Sequence, residues 1–472
     1  MTRPNTLVIT TDQHRWDWLG CAGTPGVETP NIDALAARGV WFTQHVTNTT
    51  VCAPARIGLA SGIAPVRLGA FTNQDILAPE TPTYYQALRD AGDRVGCVGK
   101  LDLNKPEQDN GALGTRPDTY RWGFTDPVEA EGKMHAGMTP PGHPYGPYGV
   151  WLQEQGLFET LRADYALRME EIVAKYLREP GDPPSAGTRW FDDSALPTHA
   201  FEDLWIGRRS CEWLRTVPDG SPWHLYVSFV GPHDPFDPPT EYADHFRGAP
   251  VPAPILDDGT GRNPATRAKE YGNTEDELIA ARRQYTAALA AIDDAVGDII
   301  STLDDVGAAD DTVVIFSADH GEMLGDHHLF QKSVPYEPAM RIPLIVAGPG
   351  IEHGRCDALT ELVDVSATVL DVAAVDPLAP IDGRSLLSCV DNPASSHRDA
   401  QVVTQSHYRS IRTATHKFVH YVDSRFDHDE LFDLAADPDE TQNLIDDEPT
   451  IRTELEADLT ARLGEEEMAA RA

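Results

Sequence analysis

Two kinds of segment alternate along the chain. Short runs rich in β-branched and aromatic residues read as strands: 6–11 (TLVITT), 94–99 (RVGCVG), 223–231 (WHLYVSFVG), 312–317 (TVVIFS) and 342–348 (IPLIVAG). Between them lie helical patterns. TPNIDALAARG has Pro30 and Asn31 at its start and Gly39 placed to end it. A second helix covers 81–91, and a long one runs from about 275 to 306, with Thr274 and Glu277 at capping-box spacing. This alternation predicts an α/β fold, a large, mostly parallel sheet sandwiched by helices. Near residue 400 the texture changes. AQVVTQSHYRSIRTATHKFVHYV reads as short hairpin strands, and LFDLAADPDETQNL as a turn-rich bridge into a helix over 450–463. The expected organisation is a large α/β domain over 1–395 and a small C-terminal antiparallel-sheet plus helix subdomain over 396–472. Three Pro-, Gly- and Asp-rich stretches, roughly 104–149, 179–199 and 232–273, read as long loops that shape a binding site.

Composition narrows the partners. The 472 residues carry a formal charge of −37, from 75 acidic and 38 basic side chains. Such a surface repels nucleic acid and anionic membranes, so neither is expected as a partner. Only seven of the basic residues are lysines. An anionic substrate would need a locally positive pocket to overcome the global field. The six cysteines are scattered, with no CxxC pair, and form neither a disulfide framework nor a zinc site. The N-terminal stretch has no charged segment followed by a long apolar one, and no run approaches a membrane span. A cytoplasmic protein with reduced thiols is the expectation. No pattern in the chain reports an oligomeric state.

The chemistry sits after the strands. Asp12 and Gln13 follow the first, Lys100 follows RVGCVG, His233 follows WHLYVSFVG, and Asp319 and His320 follow TVVIFSA. In an open parallel sheet the carboxyl ends of the strands share one edge, where ligands bind. Asp12, Gln13, Asp319 and His320 are mainly hard ligands suited to Ca²⁺, Mg²⁺ or Mn²⁺. Each Asp also fits a plain capping role. In VCAPARIGLASG, Pro54 suits the first turn of a helix. Arg56 falls four residues after Cys52, so both project from one face. A helix start with free amides, a guanidinium and a cysteine would host an oxyanion. A small buried cysteine at a helix start is the plainer alternative.

CAPAR with downstream LASG resembles the core motif of the type I, formylglycine-dependent sulfatases of the alkaline-phosphatase superfamily. The resemblance spans nearly the whole chain, through TDQHRWDWLG, TPNIDALAARGVWF, Gly99-Lys100, PHDPF, DHGEMLGDHHLFQKSVPYEPAMRIPLIV and LFDLAADPDETQNL. It implies an alkaline-phosphatase-like fold and a hydrolase, an arylsulfatase-type enzyme, acting on a sulfate monoester. A formylglycine-generating enzyme would oxidise Cys52 before folding. One hydroxyl of the hydrated aldehyde would attack sulfur and expel the alcohol. The other would then lose its proton as the C–O bond breaks, releasing sulfate and restoring the aldehyde. This is why a plain Ser or Cys would serve less well. Asp12, Gln13, Asp319, His320 and the modified Cys52 would hold one divalent metal, calcium first and manganese or magnesium next. Arg56 would support the diol. Lys100 and Lys332 would neutralise sulfate oxygens, and His233 would act as general acid or as donor to the bridging oxygen.

The chain departs from many family members at three places. It has Asp12-Gln13 for two adjacent Asp, His320 for Asn, and Asp102 for a His two residues after the lysine. The first two resemble members acting on phosphonate or phosphate esters, or on choline sulfate. A phosphonate monoester or phosphodiester hydrolase is therefore the alternative reading, and a metal-binding member without activity is a third. Asp102 would face a cationic or hydroxyl-bearing part of the substrate, or stabilise a turn. Sugar, aryl and small alkyl sulfates all fit the sequence.

Overall fold

A computed structural model of the chain describes residues 3–176, 189–218, 220–263, 266, 272–423 and 428–469. Its main sheet contains eight strands: β1 (Asn5–Thr11), β2 (Gly39–Phe42), β3 (Arg94–Gly99), β4 (Asp126–Glu129), β5 (Trp223–Ser228), β6 (Thr312–Ala318), β7 (Leu344–Ala347) and β8 (Gly354–Cys356). Their order is β4-β3-β5-β1-β6-β7-β2-β8, and seven run parallel. β7 alone runs against its neighbours β6 and β2.

Successive side chains of a strand face opposite sides, and both sides of β1 are buried. Leu7 and Ile9 enter a core with Trp205, Ile206, Ile292 and Ile299, whereas Val8 enters a second core with Ile57, Tyr85, Val365 and Val369. Helices that contribute to these two cores include, in chain order, α1 (Pro30–Ala37), α2 (Cys52–Ser61), α3 (Tyr84–Asp90), α4 (Lys133–Gly137), α5 (Phe158–Tyr176), α6 (Glu202–Arg215), α7 (Glu275–Asp305) and α8 (Val363–Val372). The capping box at Thr274 and Glu277 forms as its spacing predicts. Beyond them, a four-stranded antiparallel sheet covers β9 (Gln401–Gln405), β10 (Tyr408–Arg412), β11 (His416–Tyr421) and β12 (Glu430–Asp433). Helix α9 (Pro449–Leu463) closes its core through Leu455 and Leu459 against Ile411, Phe418 and Leu431. No helix among the described residues is long and apolar enough to cross a membrane.

Several expectations change. Gly39 does not stop α1 but begins β2, because a Cβ there would lie 2.4 Å from the Val346 carbonyl oxygen of the neighbouring strand. The stretch 104–149 is not a loop. It holds β4, α4 and short helices over Pro117–Arg121 and Pro147–Glu154. β4 escaped notice because it contains Pro127, which only an edge strand tolerates. The stretch 232–273 carries a helix over Thr240–Phe246, and 264–265 and 267–271 lie outside the described residues. Of 179–199, residues 179–188 lie outside the described residues, and two 3-10 turns follow, Arg189–Phe191 and Thr198–Ala200.

Gly99 ends β3 with φ +107°, and a Cβ there would fall 1.9 Å from the Ser228 carbonyl oxygen. That carbonyl accepts the Lys100 amide at 3.0 Å. Gly99→Ala should therefore lower stability by about 3 kcal/mol, from backbone strain plus overpacking. Gly92→Ala, at φ +96° with nothing within 4 Å of the new Cβ, should cost only about 1 kcal/mol. Urea unfolding of both variants checks the difference, and equal losses would contradict it.

Candidate active site

The order β3-β5-β1-β6 places four strand exits side by side. The backbone ties them together there. Lys100 N donates to Ser228 O at 3.0 Å, Asp12 N to Gly231 O at 3.0 Å, and Asp319 N to Thr11 O at 3.3 Å. Residues separated by more than 300 positions thereby reach one rim.

Asp12, Cys52, Asp319 and His320 are buried and offer one ligand atom each, all within 4.8 Å of one another. Cys52 Sγ lies 3.1 Å from His320 Nε2 and 3.9 Å from Asp12 Oδ1. The His320 Nδ1–H donates to Gly321 O at 3.0 Å, so Nε2 is the nitrogen turned toward the group, where it meets Cys52 Sγ. Burial disfavours its protonation, but Asp319 and Cys52 outweigh that and hold its pKa above the ordinary histidine value. Two carboxylates and an imidazole at these separations fit a divalent cation, whose ligand distances run from about 2.0 to 2.6 Å. Gln13 borders the group through its backbone N–H, which donates to Asp319 Oδ1 at 3.1 Å. Its side-chain Nε2 donates to Asp234 Oδ1 at 2.9 Å and to Glu322 Oε2. With both amide hydrogens so used, Oε1 is the atom that meets Lys332 Nζ.

Arg56 lies fully buried behind this group. Its Nε donates to Asp319 Oδ2 at 2.9 Å and its Nη2 to Asp12 Oδ2 at 3.1 Å, while Nη1 bonds Lys100 O at 2.9 Å and Ser228 Oγ at 2.6 Å. The guanidinium thus bridges the two carboxylates on the side away from Cys52. Expected to support the reacting group, it is in this geometry first a strut for Asp12 and Asp319. The free helix-start amides also differ from expectation. Ala53 N donates to Asn73 Oδ1 at 3.1 Å, Pro54 has no N–H, and Ala55 N already bonds Val51 O.

Positive charge comes instead from lysines. Lys100 Nζ pairs with Asp12 and, at 3.1 Å, with Asp102; Lys105 Nζ pairs with Asp102 at 2.6 Å. Asp102 takes a left-handed backbone (φ +54°) that turns it toward both lysines, and despite its burial their charges hold its carboxyl far below the usual range. Burial and the Asp12 charge push the Cys52 thiol up, but Lys100, Lys105 and Lys332 outweigh them and hold it well below the ordinary thiol range. The same surroundings favour any anion at that spot. Lys332 Nζ also donates to His233 Nε2 at 2.7 Å, and the His233 Nδ1–H donates to Asp234 O at 2.6 Å. All ten sequence-predicted site residues thus lie in one connected network.

Several members of that network are missed by sequence reasoning. Asn73 caps the Cys52 helix. Glu322 accepts the Leu324 and Gln331 amides at 2.8 and 2.6 Å while orienting Gln13, and burial together with Asp234 pushes its carboxyl up to about 7. Lys105 adds a third ammonium. Glu322, two residues after His320 in DHGE, is the one recoverable from a motif.

The chain is similar to known proteins along most of its length. The sulfatase family model matches residues 4–375. A model of the N-sulphoglucosamine sulphohydrolase C-terminal region matches 325–469. An arylsulfatase of Clostridium perfringens is 26% identical, over 94% of this chain and 91% of its own length. A choline-sulfatase of Rhizobium meliloti is 28% identical, over 94% and 83%. The structure of a phosphonate monoester hydrolase of Agrobacterium radiobacter superposes with a TM-score of 0.78 at 25% identity, covering 98% of this chain and 96% of that one.

Removing the strut should leave two buried carboxylates facing each other. Arg56→Ala should lose about 3–5 kcal/mol of stability in chelator-treated protein. Added divalent cation should recover part of that loss, since it replaces the missing charge. Thermal melts with and without cation check this, and an unchanged midpoint in chelator would contradict the role given to Arg56.

Proposed function

Since the chain belongs to the sulfatase family, we propose that it hydrolyses a sulfate monoester at the Asp12–Cys52–Asp319–His320 group, with residue 52 acting as formylglycine. The observation that carries this reading is the juxtaposition of Cys52 with a donor set that could hold a metal and with the charges of Lys100 and Lys332. Asp12, Asp319, His320 and the Gln13 side-chain oxygen would hold one hard divalent cation. Calcium comes first among the candidates and manganese or magnesium next, and the ion would supply positive charge at the reacting oxygens. The aldehyde hydrate at position 52 would supply the attacking oxygen.

This chain's own residues do the rest. Lys100 and Lys332 bind the non-bridging sulfate oxygens and balance the charge that builds up there. Arg56 positions Asp12 and Asp319 and does not touch substrate. The proton shared between Lys332 Nζ and His233 Nε2 is the one available to the departing alcohol oxygen, and it leaves from Nε2 because Nδ1–H is committed to Asp234 O. The Nδ1–H bond to Asp234 O fixes the ring so that Nε2 faces that path. Maturation would involve a formylglycine-generating enzyme. The six thiols, free of disulfides, fit a reducing compartment such as the cytoplasm.

The likeness to the phosphonate monoester hydrolase, together with Gln13 and His320, favours a second reading, hydrolysis of a phosphonate or phosphate ester by the same nucleophile. A sulfate monoester, a phosphonate monoester and a phosphodiester are all monoanions at the reacting group, so charge does not separate them. Turnover of 4-nitrophenyl sulfate against an aryl phosphonate monoester does. A higher kcat/KM on the sulfate is expected, and a strong preference for the phosphonate would overturn the first reading. Mass spectrometry of the peptide spanning Cys52, from protein made in its native host, should show the aldehyde in place of the thiol. An unmodified cysteine would support a member that binds metal without turnover. Cys52→Ala should reduce turnover at least about 1,000-fold with the fold intact. His320→Ala should weaken metal binding at least about tenfold by elemental analysis after dialysis, and unchanged metal content would remove His320 from the ligand set.

A further inference from the structure

The short helix α4 lies in a stretch whose Gly and Pro content reads as loop, and it is fastened on two sides. At its start, the buried Lys133 donates to the carbonyls of His233 at 3.1 Å and Pro235 at 2.7 Å, and pairs with Asp237 at 2.5 Å. At its end, Gly137 lies so close to Tyr165 of α5 that a Cβ there would fall 2.2 Å from the ring. The helix is therefore locked to the backbone that carries His233.

Between these two anchors sits His135. The Cβ position of the preceding Gly132 lies 3.5 Å from Lys100 Cε and 3.8 Å from His135 Nδ1. The imidazole thus stands across one small gap from the lysine assigned to the sulfate. It is half-buried, and among the described residues its ring nitrogens make no hydrogen bond. The charged groups that act on it are Asp102, Lys105, Lys100 and His233, all members of the site network. Burial, with help from the lysines, lowers it to about 4, so it faces the site as a neutral ring with one donor and one acceptor. The family-type His two residues after Lys100 is absent here, and Asp102 in its place is engaged by two lysines.

Resting on the sulfatase reading above, we propose that His135 contacts the alcohol half of the ester and, with Asp102 and Lys105, selects sulfate esters of polyhydroxylated alcohols over purely aromatic ones. Burying an unpaired ring nitrogen against a substrate that cannot bond it costs binding, whereas a hydroxyl that accepts from or donates to it restores the bond. A merely structural His135 would affect all esters alike.

The test compares glucose 6-sulfate and 4-nitrophenyl sulfate on the mature enzyme and on His135→Ala and His135→Gln. His135→Ala should lower kcat/KM for glucose 6-sulfate at least about tenfold more than for 4-nitrophenyl sulfate, with most of that loss in KM. His135→Gln, which keeps a donor and an acceptor near the ring's far nitrogen, should recover part of the selectivity. Equal losses on both esters, or wild-type enzyme that accepts 4-nitrophenyl sulfate but not glucose 6-sulfate, would overturn the proposal and leave the sulfatase reading standing. Wild-type enzyme inert toward both sulfates but active on the phosphonate would overturn that reading, and this proposal with it.

Discussion

The site depends on the pairing of one buried guanidinium with two buried carboxylates. Asp12 and Asp319 leave adjacent parallel strands, β1 and β6, with no solvent to separate their charges. At an effective dielectric of about 20, two like charges about 4 Å apart repel by about 4 kcal/mol. Arg56 answers both through separate nitrogens and uses its third, Nη1, on the Lys100 carbonyl and Ser228. It thereby stitches together all four strand exits, because Lys100 follows β3 and Ser228 ends β5. A lysine at this position has no planar fork to do the same. The Cys52 helix is set by the same bonds, since Arg56 and Cys52 lie one turn apart and reach different oxygens of Asp12.

A protein of net charge −37 must still admit an anion. Four of its seven lysines, Lys100, Lys105, Lys133 and Lys332, gather in or directly behind this rim. Lys133 turns inward to backbone carbonyls and Asp237, so it builds the His233 segment without adding exposed charge. Asp102 partly cancels Lys100 and Lys105, which tempers the pocket for a singly charged group. Long-range steering would oppose the substrate, so binding relies on close contacts within a Debye length of about 10 Å at 0.1 M salt.

Much of this was readable in the chain because polar, chemistry-bearing residues stand directly after buried β-branched runs. TLVITT-DQ, RVGCVG-K and TVVIFSA-DH each put such residues at the carboxyl end of a strand, and parallel pairing brought them together. Harder to read were features set by backbone approach and by side chains that bond other side chains. Gly39 looked like a helix stop, yet it answers to the Val346 carbonyl of a strand remote in sequence. The strand at 344–347 gave no sign of running antiparallel, since its apolar pattern is the same in either direction. Arg56 was legible as a site residue but not as a carboxylate strut, because its partners come from two distant strands. The stretch holding His135 is rich in Gly and Pro, and no local periodicity reveals a five-residue helix held by Lys133 and Tyr165.

The direct test of the whole arrangement is anomalous X-ray scattering from crystals of the mature protein soaked in manganese. The account predicts one strong peak bounded by Asp12, Asp319, His320 and the side chain of residue 52, with the Gln13 amide oxygen turned toward it and Arg56 on the far side of both carboxylates. A manganese peak elsewhere, or residue 52 standing apart from an ion bound by the carboxylates, would contradict it.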